Sequence, residues 1–137
     1  MKILVIDGQG GRMGALLVKA LRERVEAEIV AIGTNSVATA AMLKAGADMG
    51  ATGENPVVRA AMTADVICGP IGVIAAHSIL GEVTPAMAEA VGGSAAKKVL
   101  IPVANCNITV AGTEEKKLAD YIDDAAELIE KIAKENA

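Results

Sequence analysis

The hydrophobic and polar positions of the chain form two kinds of segment that alternate. Short, continuous apolar runs at residues 2–6, 29–32, 65–69 and 97–103 are typical of parallel strands covered on both faces. Longer segments between them, such as residues 11–25, carry apolar residues on one helical stripe and charges off it. This alternation predicts a three-layer, Rossmann-like α/β fold with a mostly parallel sheet and right-handed crossovers.

Two further segments leave the number of strands open. Residues 49–52 fit either a short third strand or a loop, and residues 107–111 alternate as an edge strand does, so a sheet of about five or six strands is expected. Capping residues and prolines mark the helix starts. The other predicted helices are residues 37–45 after Ser36, 56–62 after Asn55, 73–80, 85–91 after Thr84, and a last helix after Thr113.

Length and composition favour one domain spanning residues 1–137. The chain has 137 residues, 53% of them hydrophobic, with a mean hydropathy of +0.43, enough for a real core. No apolar run reaches the roughly 18 residues of a membrane helix, and no leader pattern precedes the first strand, so a cytoplasmic protein without membrane contact is expected. So many apolar residues in a small chain predict a self-association face, hence a homo-oligomer.

Charge and residue types argue against two classes of partner. The net charge is -4, and the chain has no Phe or Trp and a single Tyr, so a nucleic-acid partner is not expected. His77 is the only histidine, and Cys68 and Cys106 fit no zinc spacing, so no metal site is expected. The two cysteines suit a reducing compartment.

The first turn, DGQGGRMG, follows an apolar strand and precedes a helix. Free backbone N–H groups and the positive end of the helix dipole converge there, which predicts an anion site for a nucleotide or another phosphorylated small molecule. We expect Gly8 and Gly10 to permit the tight turn and close phosphate approach, and Gly14 to let the helix pack on the strand. The alternative is a purely structural turn. The predicted contacts are Gly8, Gln9, Gly10, Gly11, Arg12, Met13 and Gly14.

Other strand ends are also rich in glycine, hydroxyl and amide groups. The carboxyl ends of parallel strands share one rim, and ligands bind there, near the point where strand order reverses. The residues predicted to join this rim are Gly33, Thr34, Asn35, Ser36, Gly69, Pro70, Ile71, Gly72 and Asn105.

The second strand bears on the choice of cofactor. An NAD ribose usually meets an acid at the end of that strand, and residues 29–47 contain none. Thr34, Asn35 and Ser36, together with Arg12, are therefore expected to receive a phosphate, which favours NADP(H) over NAD(H) as cofactor. The alternative is that residues 33–36 only begin a helix.

Three side chains are candidates for proton transfer in a small isomerase or lyase acting on a phosphorylated metabolite. Asp7 ends the first strand, Glu54 lies just before a predicted helix, and His77 follows the GPIG turn. Each also has a structural alternative: Asp7 accepting from loop amides, Glu54 favouring a helix dipole, and His77 at a surface or subunit contact. The enzyme is thus the alternative to a binding protein.

Two resemblances add to this picture. The string GQGGRMG is similar to the dinucleotide loop of dihydrodipicolinate reductases, in which GxxGRMG follows the first strand. That likeness implies dinucleotide binding but not the reaction, since the chain lacks the second domain with paired histidines. Over most of its length the chain resembles a family of small bacterial Rossmann-like proteins without an assigned function, which implies no catalytic residue. The segments that carry it are VIDGQGGRMG, IGTNSVATAAMLKAGA, ATGEN, ADVICGPIGVI and KKVLIPVANCN.

Overall fold

The structure, a computed structural model, describes residues 1–103 and 107–136. Strands and helices alternate along this part of the chain. The strands are β1 (Lys2–Asp7), β2 (Glu28–Gly33), β3 (Met49–Thr52), β4 (Val66–Pro70) and β5 (Lys97–Ile101). The α-helices are α1 (Arg12–Arg24), α2 (Ser36–Lys44), α3 (Glu54–Ala61), α4 (Pro85–Gly92) and α5 (Leu118–Glu135).

The strands form one parallel sheet in the order β3-β2-β1-β4-β5. The chain runs from β1 outward to β2 and β3, then crosses back to place β4 on the other side of β1. The connections leaving β1 and β4 therefore diverge, and this topological switch point is where open α/β sheets bind ligands. The predicted Rossmann-like α/β fold is confirmed.

Helices cover both faces of the sheet because side chains along each strand alternate in direction. On β1, Ile3 and Val5 belong to the core beneath α1, α2 and α5, whereas Leu4 and Ile6 belong to the core beneath α3 and α4. All four are fully or almost fully buried, which explains the unbroken apolar run. No helix in residues 1–103 or 107–136 is long and apolar enough to cross a membrane.

The predicted helix at residues 73–80 is wrong. A single 3-10 turn, Ile71–Ile74, follows β4, and a segment of turns then leads to α4. His77, Ile79 and Leu80 have φ of 68°, 53° and 53°, a left-handed backbone that an α-helix excludes. The His77 N–H donates to the Val83 carbonyl at 2.7 Å, which closes this segment into a compact loop.

Several predicted boundaries also move. Asn35, not Ser36, caps α2 by accepting from the Ala38 N–H at 2.9 Å. Helix α3 begins at Glu54, with Gly53 and not Asn55 at its cap. Helix α5 begins at Leu118, and the Thr113 hydroxyl instead donates to the Val110 carbonyl. Residues 107–111 form no strand. The fifth strand, predicted to reach residue 103, ends at Ile101, before Pro102, which lacks the N–H that a ladder needs.

Cys68 is fully buried in β4, and burial raises the pKa of its thiol to about 12. A thiol without thiolate character is a poor nucleophile. In a Cys106→Ser variant we expect no reaction with a disulfide reagent at pH 8 in the native protein, and full reaction in denaturant. Rapid native labelling would show that β4 opens readily.

Candidate functional site

The glycine loop between β1 and α1 is a tight turn closed by a hydrogen bond from the Gly11 N–H to the Gly8 carbonyl at 2.9 Å. The left-handed residues are Gln9, with φ of 48°, and Gly11, with φ of 73°. Gly8 and Gly10 do not have the left-handed conformation that this turn uses. Gly11, which caps α1, is the glycine whose backbone conformation the turn requires.

The other loop glycines differ in the space around them. A Cβ on Gly8 would lie 2.6 Å from Thr34 Oγ1, and one on Gly14 would lie 2.8 Å from the Asp7 Cβ. Gly14 thus lets α1 pack directly on the end of β1. A Cβ on Gly10 would meet nothing within 4 Å, so the loop presents open space at Gly10.

Asp7, the last residue of β1, holds this loop against the sheet through hydrogen bonds. One carboxylate oxygen accepts from the Gly8 N–H at 2.8 Å and the other accepts from the Gly14 N–H at 2.6 Å. Burial raises the pKa of Asp7 and outweighs the two amide hydrogen bonds, which act in the opposite direction, and the charge of Glu82 raises it further. Asp7 is therefore a buried acid at the carboxyl end of β1.

Replacing Glu82 with glutamine should lower the pKa of Asp7 while leaving it above its ordinary value of 3.8, because burial remains. Carboxyl-carbon NMR titration of both proteins measures this. Because burial raises the pKa of Asp7, the native state holds this proton more tightly than the unfolded state does. The free energy of unfolding therefore falls as pH rises from 3.8 through the native pKa. An Asp7 pKa that does not respond to Glu82 would contradict the arrangement.

Several donors of the loop are unpaired. The backbone N–H groups of Gly10, Arg12 and Met13 have no acceptor within residues 1–103 and 107–136. The exposed Arg12 guanidinium forms no ion pair with any residue in those ranges. The three residues that carry these groups are among those that line a cavity of about 180 Å³. Its lining is Asp7, Gly8, Gln9, Gly10, Gly11, Arg12, Met13, Pro70, Ile79, Val103 and Leu118.

Glu82, which the sequence did not single out, reaches the rim from the loop before α4. Its Oε1 atom accepts from the Gln9 N–H at 3.0 Å, the Thr34 hydroxyl at 2.6 Å and the Asn35 side-chain amide at 2.8 Å. Burial raises the pKa of Glu82, but the hydrogen bonds from Thr34, Gln9 and Asn35 together lower it below its ordinary value. A charged carboxylate therefore lies beside the end of β2.

This contact changes the expected roles of the residues after β2. Thr34 and Asn35 are engaged by a carboxylate, and the Asn35 amide also donates to the Gln9 carbonyl at 2.9 Å. Ser36 is exposed on the first turn of α2. Glu82 thus places a carboxylate beside the end of β2, although residues 29–47 contain no acid. The absence of an acid from that segment therefore no longer favours NADP(H).

Most of the remaining residues predicted for the rim pack against other parts of the protein. Gly69 abuts the Ile6 carbonyl and Gly33 abuts Thr39, leaving no room for a Cβ at either position. The buried Gly72 accepts a hydrogen bond from the Ser78 hydroxyl, and Ile71 beside it is half-buried. Pro70 lines the cavity, whereas Asn105 and Cys106 lie outside the described residues.

The three candidates for proton transfer contact different parts of the described structure. Glu54, in the first turn of α3, accepts from the Thr84 hydroxyl at 2.6 Å and so ties α3 to the start of α4. His77 is exposed in the loop before α4. Within the described part of the chain, no hydrogen bond or ion pair links any two of Asp7, Glu54 and His77.

A larger groove of about 630 Å³ lies between α3 and α4. Its lining is mostly small and apolar, and the hydroxyl of Ser94 already donates to the Ala61 carbonyl. Volume alone does not make a site, because specific ligands need convergent polar groups. Those groups converge at the glycine loop.

The sheet order and the glycine loop at its switch point define a doubly wound, Rossmann-like α/β protein. The chain belongs to the family described as Domain of unknown function (DUF3842), whose model matches residues 2–134. Among curated proteins, none matches the sequence.

One solved structure with a similar chain trace is that of a dodecameric FMN-dependent Ubix-like decarboxylase from Escherichia coli O157:H7. The two chains are 14% identical, the TM-score is 0.45, and the match covers 96% of this chain and 94% of the other. A likeness this distant implies nothing about ligand or reaction.

Proposed function

We propose that the protein binds a phosphorylated small molecule, with a nucleotide as the class that fits best, on the loop from Asp7 to Gly14. The observation that supports this most strongly is the set of three unpaired N–H groups, on Gly10, Arg12 and Met13, at the start of α1. The dipole of a 13-residue helix and the unpaired Arg12 guanidinium add positive potential at the same point.

The size of the cavity favours an extended ligand over an enclosed one. At about 180 Å³ it is smaller than typical ligand pockets, which hold roughly 300 to 1,000 Å³. It suits a phosphate group, while the rest of the ligand would lie across Gln9 toward Thr34 and Glu82. A nucleotide has this shape, with a compact anion joined to a larger polar body.

The proposal includes no reaction. The alternative of an isomerase or lyase needs proton-transfer groups that act together, and Asp7, Glu54 and His77 are not joined within the described residues. The resemblance of the loop to dihydrodipicolinate reductases likewise supports binding only.

Self-association also remains a proposal; the exposed apolar side chains that would serve it include Leu80, Met62 and Val37.

Calorimetric titration with pyrophosphate, NADH, NADPH, FMN, ATP and coenzyme A tests the proposal. At least one should bind, and Arg12→Ala should weaken that binding roughly 10- to 100-fold, as expected for a lost charged hydrogen bond. Lys19→Ala is the matched control, since Lys19 is exposed on the same helix but away from the loop. Binding of none of these compounds, or equal losses in the two variants, would overturn the proposal.

A further inference from the structure

Only one carboxylate oxygen of Glu82 accepts hydrogen bonds within the described residues. Three donors, from Gln9, Thr34 and Asn35, all bond to Oε1. Oε2 has no partner in residues 1–103 and 107–136, and it is not buried, since no buried side-chain polar atom there lacks a partner. The carboxylate is thus fixed in position with one open acceptor.

The Glu82 carboxylate lies against the glycine loop. A Cβ on Gly8 would be 2.9 Å from Glu82 Oε1, so the carboxylate sits directly over the first glycine. Gln9 joins the two regions, because it lines the anion cavity and its N–H donates to Glu82. A ligand whose phosphate occupies the cavity and that extends over Gln9 toward Thr34 would therefore come close to this carboxylate, whose Oε2 has no partner among the described residues.

We infer that Glu82 makes the site select a nucleotide with a free ribose diol, by accepting a hydrogen bond from a ribose hydroxyl and repelling a phosphate at that position. This inference rests on the proposed function and names the ligand class within it. It reverses the preference for NADP(H) expected from residues 29–47.

Electrostatics at the position support this direction. Glu82 is ionised at neutral pH, since its hydrogen bonds lower its pKa, and it forms no ion pair with the described cations. A ribose hydroxyl adjacent to Oε2 is a neutral donor to a charged acceptor, which is a strong hydrogen bond. A 2′-phosphate there would face the like charge of Glu82, which no cation of the described residues neutralises in an ion pair. The donors that would attract the phosphate are already bonded to Oε1.

The test compares NADH with NADPH, which differ only by the 2′-phosphate, and uses pyrophosphate as a probe of the loop alone. The wild-type protein should bind NADH roughly 10- to 100-fold more tightly than NADPH. Glu82→Gln should bring the ratio close to one, with pyrophosphate affinity changed far less. Glu89→Gln removes the same charge from the exposed face of α4 and should leave the ratio at its wild-type value.

The outcomes separate this inference from the proposed function. Wild-type protein that binds NADPH as tightly as NADH, or a ratio unchanged in Glu82→Gln, overturns the role of Glu82. Pyrophosphate binding without binding of either dinucleotide overturns it too, and leaves the anion site standing. Binding of no probe overturns both.

Discussion

Replacing Gly11 with alanine is expected to lower the free energy of unfolding by about 3 kcal/mol. Gly11 has φ of 73°, and an added Cβ would lie 2.7 Å from the Ala38 Cα and 2.8 Å from the Ala38 carbonyl oxygen. Both contacts are with the backbone of α2, which cannot move aside as a side chain can. The cost combines left-handed strain with overpacking. Urea unfolding followed by far-ultraviolet circular dichroism measures it, since the chain has no Trp.

Gly10→Ala is the matched control for this experiment. It adds the same methyl group one residue earlier, where nothing lies within 4 Å, so its unfolding free energy should stay within about 0.5 kcal/mol of wild type. Equal losses in the two variants, or a stable Gly11→Ala protein, would contradict the described turn.

The same Gly10→Ala substitution is expected to produce the largest loss of binding among the stable loop variants. Its methyl group would occupy the open space beside the unpaired amides, and overpacking of about 1 to 3 kcal/mol corresponds to roughly 5- to 150-fold weaker binding. Calorimetric titration with pyrophosphate measures this. The control is Gly92→Ala at the end of α4, where a Cβ also meets nothing within 4 Å. Unimpaired binding by Gly10→Ala would place the ligand elsewhere.

The alternation of apolar runs and helical stripes was sufficient to predict the sheet, because parallel strands buried on both faces leave a strong signal. Even the short β3 agrees with one of its two predicted alternatives. The loop before α4 was misassigned as a helix because its apolar residues fit a helical stripe. The left-handed backbone of His77, Ile79 and Leu80 could not be predicted, since none of these residues is glycine, the type that usually adopts it.

The candidate site was also predicted only in part from the sequence. The glycine loop is local in sequence and was located from its pattern. Glu82 was missed because its partner Thr34 lies 48 residues away, and nothing in the string GEVTP distinguishes an acid that contacts the ligand rim from one on the surface. The absence of an acid from residues 29–47 therefore did not reveal that a carboxylate lies beside Thr34 in the folded protein.

Phosphate binding by the N–H groups of Gly10, Arg12 and Met13 is tested most directly by amide NMR spectra of the ¹⁵N-labelled protein, recorded during a titration with pyrophosphate. The largest shift changes should fall on these three residues and saturate together. Changes centred instead on the groove between α3 and α4, or no change at the loop at saturating pyrophosphate, would contradict the claim.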